Sequence, residues 1–477
     1  MFVIWNLFIE ISKFSFIPIM SLTIDKSTIE KFDVSGPRYT SYPTAPVWSG
    51  EVTDEVYARR LADFGRSDKT LSLYIHIPFC QSMCTYCGCN VVIRRQDDKY
   101  GDEYLQYLFR EMDMVVKRIG TKKQVKQLHW GGGTPTYLNE RQIVELYEKI
   151  GENFDIDPSG EIAIEIDPRT IDAPKLRTLR RLGFNRISMG VQDFDPKVQE
   201  AVNRRQPYDL VKEYTDLCRG LKFTSLNFDL IYGLPYQTPA SFSRTVSQIM
   251  ALRPDRIALY SFAYVPWLKK HQNKIEREFL PASDVKLDIF LQARSQFLAH
   301  GYAAIAMDHF ALAGDDLAEA FQNGTLYRNF MGYTVRPADE FIGLGLTSIG
   351  FLEDTYIHNC KTLPEYFGAL REGRLPVARG KILSADDRIR QWTINSLICR
   401  FCVDKGEFAD KFHALFDEYF LPEQEHIHRC EEDQLIRVEG NRILVTELGK
   451  IFIRNVCMGF DYYLQRTDVP RQFSRTV

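Results

Sequence analysis

Four of the chain's ten cysteines fall within ten positions, in Cys80-Gln-Ser-Met-Cys84-Thr-Tyr86-Cys87-Gly88-Cys89. Cys80, Cys84 and Cys87 form a C-x3-C-x2-C run directly behind an apolar, strand-like stretch from Leu71 to Phe79. Thiolates are soft ligands that favour zinc or iron–sulfur clusters. A structural zinc site wants two spaced pairs. The second pair on offer, Cys399 and Cys402, lies in a stretch with the apolar spacing of a packed helix. A [4Fe–4S] cube held by three cysteines keeps one iron free of protein ligands, open to an amine and a carboxylate. Cys89 as a fourth ligand would give a plain electron-transfer centre. Only Gly88 separates it from Cys87, an awkward gap for two corners of one cube. Three ligands and a free Cys89 are expected.

Hydrophobic residues make up 45% of the 477 positions, charged residues 26%, and the net charge is −3. This is an ordinary globular balance. It offers no global basic field for nucleic acid or membrane, so an anionic substrate must meet local cations. A thiolate-ligated cluster needs a reducing compartment, and the cytoplasm is the expected location. Residues 1–20 are apolar but interrupted by Glu10 and Lys13, too short for a spanning helix. They lack the basic start and cleavage site of a signal peptide. Met20 is read as the physiological start and residues 1–20 as a doubtful extension, with a membrane-surface anchor as the competing idea; no stable membrane insertion is expected.

Residues 21–70 form an arm in which Gly36, Pro37, Pro43 and Pro46 forbid regular structure, followed by a helix from about Asp54 to Phe64. From 71 to 310, strand-like runs alternate with helical ones. The strands are Leu71–Phe79, Val125–Trp130, Glu161–Asp167, Arg186–Val191, Leu226–Tyr232 and Ile257–Phe262. Between them lie helical patterns at Glu103–Arg118, Glu140–Glu152, Pro174–Leu182, Tyr208–Gly220 and Pro239–Leu252. Such alternation argues an α/β fold with a parallel sheet, as in an incomplete (β/α)6 barrel. Chemistry in such a barrel sits at the C-terminal strand ends, where the cysteine loop falls. Residues 311–364 read as a barrel extension and connection, and further units near Ala304–Met307 and Phe341–Gly350 are expected to extend the sheet. Residues 365–477 read as a mostly helical, winged-helix-like domain. It comprises helices over Asp386–Cys402 and Lys411–Tyr419, a hairpin at Gly440-Asn441, and a helix from Thr446 to about Leu464. Without a basic charge balance, a lid or packing role fits this domain better than nucleic-acid binding.

The cysteine loop resembles the radical S-adenosylmethionine (SAM) enzymes. Its Cys-Gly-Cys ending is similar to that of the oxygen-independent coproporphyrinogen III oxidases. Trp130-Gly131-Gly132-Gly133-Thr134-Pro135-Thr136 and the arm around Arg38-Tyr39 match the same family. The resemblance implies one [4Fe–4S] cluster on Cys80, Cys84 and Cys87, and two SAM molecules. It places Tyr74, Gly132, Glu165 and Ile349 on the SAM at the cluster. It places Tyr86, Gly133, Thr134, Gln192, Arg204, Asp229 and Ala263 on the second. Glu165 and Cys89 are the candidate catalytic groups. The implied reaction is oxidative decarboxylation of two propionates of coproporphyrinogen III to vinyls, giving protoporphyrinogen IX. The electron donor and final acceptor are not named by the sequence, and a monomer is expected. Arg38 and Arg328 are candidates for holding propionates, and His309 for a substrate-side role. A heme-binding chaperone on the same barrel is the alternative. Those relatives carry a His-Asn-x-x-Tyr-Trp motif, where this chain has Arg328-Asn329-Phe330-Met331-Gly332-Tyr333. His426, His428 and Cys430 are a lesser zinc candidate, read instead as an exposed helix face.

Overall fold

The computed structural model describes residues 24–335, 337–466 and 473–476. The reading of Met1 and Met20 lies outside them. Among the described residues no helix is long and apolar enough to cross a membrane.

A twelve-stranded sheet carries the fold. Its centre is seven parallel strands: Glu340–Leu344, Leu71–Ile77, Gln124–Gly132, Asp155–Ile166, Arg186–Gln192, Ser225–Tyr232 and Arg256–Ser261, in that spatial order. Counted from Leu71–Ile77, the last six are the first to sixth strands of the barrel. Antiparallel strands extend both flanks: His309–Leu312 with Tyr302–Ile305 beyond the sixth strand, and Ile349–Leu352, Thr355–Asn359 and Val377–Ile382 beyond Glu340–Leu344. The two edges do not pair with each other, so the barrel is open.

The helices follow from apolar periodicity. Asp98–Ile119 buries Tyr104, Leu105, Leu108, Met112 and Val115 at three- and four-residue spacing and ends at Gly120, φ +78°. Each fully buried aliphatic contributes about 1.5–3 kcal/mol. The first strand is buried on both faces, as a central parallel strand must be. Near Ala304–Met307, the turn Ala306–Asp308 separates the two strands of a hairpin.

The large sheet runs on through Val377–Ile382, so the helical C-terminal part begins after it rather than at 365. Ala385–Arg400 is helical as expected, capped by a Ser384–Asp387 box. The helix expected over Lys411–Tyr419 is instead two, Lys405–Phe412 and Phe416–Tyr419. Asp404 caps the first through the Gly406 and Glu407 amides, and His413, φ +54°, ends it. The hairpin turns at Gly440, φ +57°, between Ile436–Glu439 and Arg442–Val445. Thr446 caps Glu447–Ile451, but the expected long helix is broken into Glu447–Ile451, Ile453–Met458 and Tyr462–Arg466.

The arm is buried more deeply than its composition suggests. Tyr39 and Tyr42 are 3% and 1% exposed. Tyr39 donates to Asp461 at 3.1 Å, and the Tyr462 amide donates to the Tyr42 hydroxyl at 3.1 Å. Arg454 donates to the carbonyls of Gly36 and Pro37, and Arg38 to the Ser261 carbonyl at the end of the sixth strand. The arm thus straps the C-terminal part to the barrel mouth.

Candidate active site

The first strand stops at Pro78, which has no amide hydrogen to donate. Phe79, 1% exposed, then packs on Tyr104 and Tyr137. Phe79–Cys80 pairs with Val92–Ile93 and closes the cysteine loop at its base. Other segments pin the loop. The Thr85 amide donates to the Val202 carbonyl at 3.1 Å, and Asn203 Nδ2 to the Met83 carbonyl at 2.8 Å. Gln272 Nε2 donates to the Tyr86 carbonyl at 3.1 Å.

Cys80, Cys84, Cys87 and Cys89 line one cleft at the C-terminal ends of the strands, with a cavity volume of about 190 Å3. Among the described residues no three His, Cys, Asp or Glu side chains converge on a point as one metal ion needs. Thiolates that each bind a different iron of a cube need no such convergence. The Cys84 sulfur receives Arg169 Nη2 at 3.6 Å and Arg204 Nη1 at 3.7 Å, and the Cys80 sulfur lies 3.3 Å from Thr134 Oγ1. The hydrogen bond from Cys89, winning over burial, brings the Cys87 thiol down to about 6. The same bond and the Cys87 charge push Cys89 well above the usual thiol range. Burial pushes Cys80 up to about 11. Cys89 is the exposed member of the four.

Gly132, Gly133 and Thr134 line the cleft, but the two glycines serve the chain's own packing. At Gly132, φ +125°, a Cβ would stand 2.7 Å from the Ile77 carbonyl oxygen; at Gly133, it would stand 2.6 Å from that of Pro78. The second strand can pass under the cysteine loop only without side chains there. Glu165 accepts from the Gly132 amide at 3.2 Å and lies 3.2 Å from His129 Nε2. Its carboxylate is 43% exposed into the cleft.

Asp167 is a hub that sequence reading did not single out. Burial pushes its carboxyl up, but the Arg204 charge and the Arg169 hydrogen bond bring it down to about 2. Arg204 reaches it at 3.0 Å and Arg169 at 2.7 Å. The Asp167-Pro-Arg169 spacing was the available signal. Asp229 accepts from Ser188 at 2.9 Å and Asn227 at 2.9 Å; burial and the Glu165 charge raise it to about 6. Gln192, φ +66°, also lines the cleft. Two buried atoms here have no hydrogen-bond partner among the described residues, Gln192 Oε1 and Arg204 Nε. Such atoms are costly unless a ligand satisfies them. Thiolates, guanidinium and unpaired polar atoms around one cleft fit a cluster with a polar, zwitterionic ligand.

Other expected residues lie around the cleft. Tyr86 lines it, and Ala263 is joined to Tyr86 by Gln272 Nε2, which donates to both carbonyls at 3.1 Å. Tyr74 stacks on His129 with ring centroids 5.9 Å apart, one step from Glu165. Ile349 is adjacent to Gly343, the register partner of Tyr74, and packs near Trp48 and Tyr356. Tyr74, Ala263 and Ile349 therefore flank the cleft without lining it. A further cavity of about 120 Å3 shares Glu165, Ser188 and Asp229 and carries the space down the bore to Tyr260, His309 and Tyr333. His309 is bound to Asp308 at 2.7 Å. Arg328 is turned to the arm, donating to the Arg38 and Tyr39 carbonyls at 3.2 and 3.3 Å. His426 bonds the Val456 carbonyl and Cys430, while His428 is exposed. A larger cavity, about 680 Å3, opens on the opposite face. There Arg256 pairs with Asp315 and Asp316, and Arg186 with Glu161 and Asp316. It lies at the strand starts, away from every cysteine of the loop.

Comparison with known proteins agrees with this geometry. Residues 74–249 match the Radical SAM superfamily, and residues 383–452 match the HemN C-terminal domain. The oxygen-independent coproporphyrinogen III oxidase of Escherichia coli K12 is 41% identical over 95% of this chain and 98% of its own length. The chain belongs to that family. The Helicobacter pylori 26695 member is 38% identical over 95% of this chain and 100% of its own. The solved structure of Escherichia coli coproporphyrinogen III oxidase, described as a radical SAM enzyme, superposes with a TM-score of 0.86, covering 90% of this chain and 98% of that one. Family membership brings a [4Fe–4S] cluster and SAM as cofactors, and the α/β radical SAM fold.

Proposed function

We propose that this chain converts two propionates of coproporphyrinogen III to vinyls by oxidative decarboxylation, giving protoporphyrinogen IX. The observation that carries the reading is the three-cysteine loop set over a cleft whose Gln192 and Arg204 keep buried atoms unpaired. Near-full-length relatives of that name support it. When bound, the cluster and SAM supply a 5′-deoxyadenosyl radical able to take hydrogen from a propionate β-carbon.

This chain's own residues do the rest. Cys80, Cys84 and Cys87 hold the cluster, and Arg169 and Arg204 stabilise the Cys84 thiolate. Glu165, fixed by the Gly132 amide and His129, presents one carboxylate to the first SAM, flanked by Tyr74, Gly132 and Ile349. Tyr86, Gly133, Thr134, Gln192, Arg204, Asp229 and Ala263 surround a second SAM. Cys89 shapes the substrate side of the loop. The arm, held through Arg38 and Arg454, shields the mouth from water, which a reactive radical requires. The test is anaerobic incubation of reconstituted protein with SAM, dithionite and coproporphyrinogen III. Protoporphyrinogen is expected; its absence with a full complement of iron overturns the proposal.

A further inference from the structure

The segment after the sixth strand, Ala263 to Leu280, is anchored at one end and exposed at the other. Ile275, 4% exposed, packs among Val198, Val202, Leu234 and Phe262. Three side chains of this segment hold backbone carbonyls of the cysteine loop. Lys269 Nζ donates to the Cys89 carbonyl at 3.0 Å, His271 Nε2 lies 2.8 Å from the Cys87 carbonyl, and Gln272 takes that of Tyr86. Against this anchored base, Trp267 and Leu268 stand side by side, 52% and 54% exposed. Neither packs in an apolar cluster of the described core. Lys270 and Lys274 are exposed beside them, and Lys361 lies close enough to feel the Lys269 charge. Lys269, Lys270, Lys274 and Lys361 have no carboxylate partner among the described ion pairs. The acids of the segment, Glu276 and Glu278, lie toward Tyr236.

An apolar pair rimmed by unpaired cations is the surface an acidic protein recognises. This one sits against the backbone of the cluster loop, on a chain whose overall charge is negative. We propose that the Trp267–Lys274 face docks an acidic one-electron carrier protein that reduces the cluster. The carrier's reduced centre loses one electron and the [4Fe–4S]2+ cluster gains it, becoming [4Fe–4S]+. A hydrogen-bonded route from this face runs through His271 to the Cys87 carbonyl. This inference rests on the cluster assignment made above.

The experiment compares anaerobic turnover driven by dithionite with turnover driven by a reduced acidic flavodoxin, in wild type, Trp267→Ala/Leu268→Ala and Lys270→Glu/Lys274→Glu. Both variants are expected to keep wild-type iron and the dithionite-driven rate. Their flavodoxin-driven rate should fall about tenfold or more at low salt, and the salt dependence of the wild-type rate should flatten in the lysine variant. Unchanged flavodoxin-driven rates in both variants overturn the proposal. So does Trp267-dependent binding to anionic phospholipid vesicles, or a Trp267-dependent dimer in sedimentation, with the flavodoxin-driven rate unaltered. Failure of the wild type with dithionite would instead count against the enzymatic reading itself.

Discussion

Asp167 and Glu111 are both buried carboxylates, and they are held in opposite ways. Asp167, at the active-site cleft, sits between two guanidiniums and stays ionised down to about pH 2. Glu111, on the helix behind the first strand, has only neutral partners. The Gly345 amide donates to it at 2.8 Å, Asn359 at 2.6 Å and the Tyr366 hydroxyl at 2.5 Å. Burial raises it to about 7 despite those bonds. The site keeps permanent charge in place where a polar ligand is to be bound. The scaffold ties strands to a helix through a carboxyl met only by neutral donors. The first arrangement leaves atoms unpaired, at Gln192 and Arg204; the second satisfies both Glu111 oxygens.

The heaviest blow to the cleft side of this comparison is loss of a cluster ligand. Cys80→Ser, Cys84→Ser and Cys87→Ser should each reconstitute with severely depleted iron and no turnover, while the urea midpoint of the apoprotein stays near that of wild type. Wild-type iron in any one of them removes that cysteine from the ligand set.

Asp167→Asn should come next. It leaves Arg169 and Arg204 without their shared carboxylate, in a place where Arg204 is 8% exposed. Removing one partner of a buried pair costs about 3 kcal/mol, readable as a lowered urea midpoint at pH 7. The folded carboxyl titrates near 2 and the unfolded one near 3.8. Its stabilisation is therefore present above 3.8 and lost as pH falls through 2. The variant should lack that acid limb; an unchanged limb would place the arginines' partner elsewhere.

Glu111 sharpens the contrast because its sign is reversed. The folded carboxyl keeps its proton to about 7, whereas the unfolded one releases it near 4.5. Its contribution is full at and below pH 4.5 and declines as pH rises to 7. The decline should be on the order of 3 kcal/mol. Urea midpoints of wild type and Glu111→Gln, measured from pH 4.5 to 8, should converge in slope only if other groups dominate. A steeper wild-type decline is the expected result.

The smallest effect concerns Cys89. Cys89→Ser should bind normal iron and still perturb the open iron's Mössbauer signal on adding SAM, since a fourth thiolate would block that iron. Lost iron would make Cys89 a ligand.

Much of this was legible in the chain because it is local. The cysteine spacing, the glycine run and the strand–helix periodicity each lie within a few residues, and the six barrel strands fall close to their expected places. The partners of Asp167 and Glu111 were not legible in the same way. Arg204 is 37 positions from Asp167, and Asn359 is 248 from Glu111. Nothing in the local pattern marks which of many arginines or asparagines will be brought there. The glycines at 132 and 133 have a packing reason beside the ligand-binding one. They admit the first strand's carbonyls, which a single sequence read in order does not show. The break at His413 was missed because the apolar spacing runs across it, while Asp404 and His413 set the helix ends.

The bridge between Ser35 and Arg475 has a consequence for the order of events in the cell. The Gly36 amide bonds the Ser474 carbonyl at 3.1 Å, and the Thr476 amide bonds that of Val34 at 2.8 Å. The arm leaves the ribosome early, whereas its partners are made roughly 440 residues later, as the separation of Val34 and Thr476 records. At about 5–20 residues per second, synthesis leaves that interval at tens of seconds. For all of it the strap lacks its outermost fastening, although Arg38 meets the Ser261 carbonyl as soon as the sixth strand has formed. The last fastenings of the strap form only once residues 474–476 have been made, so the mouth takes its final form late in synthesis.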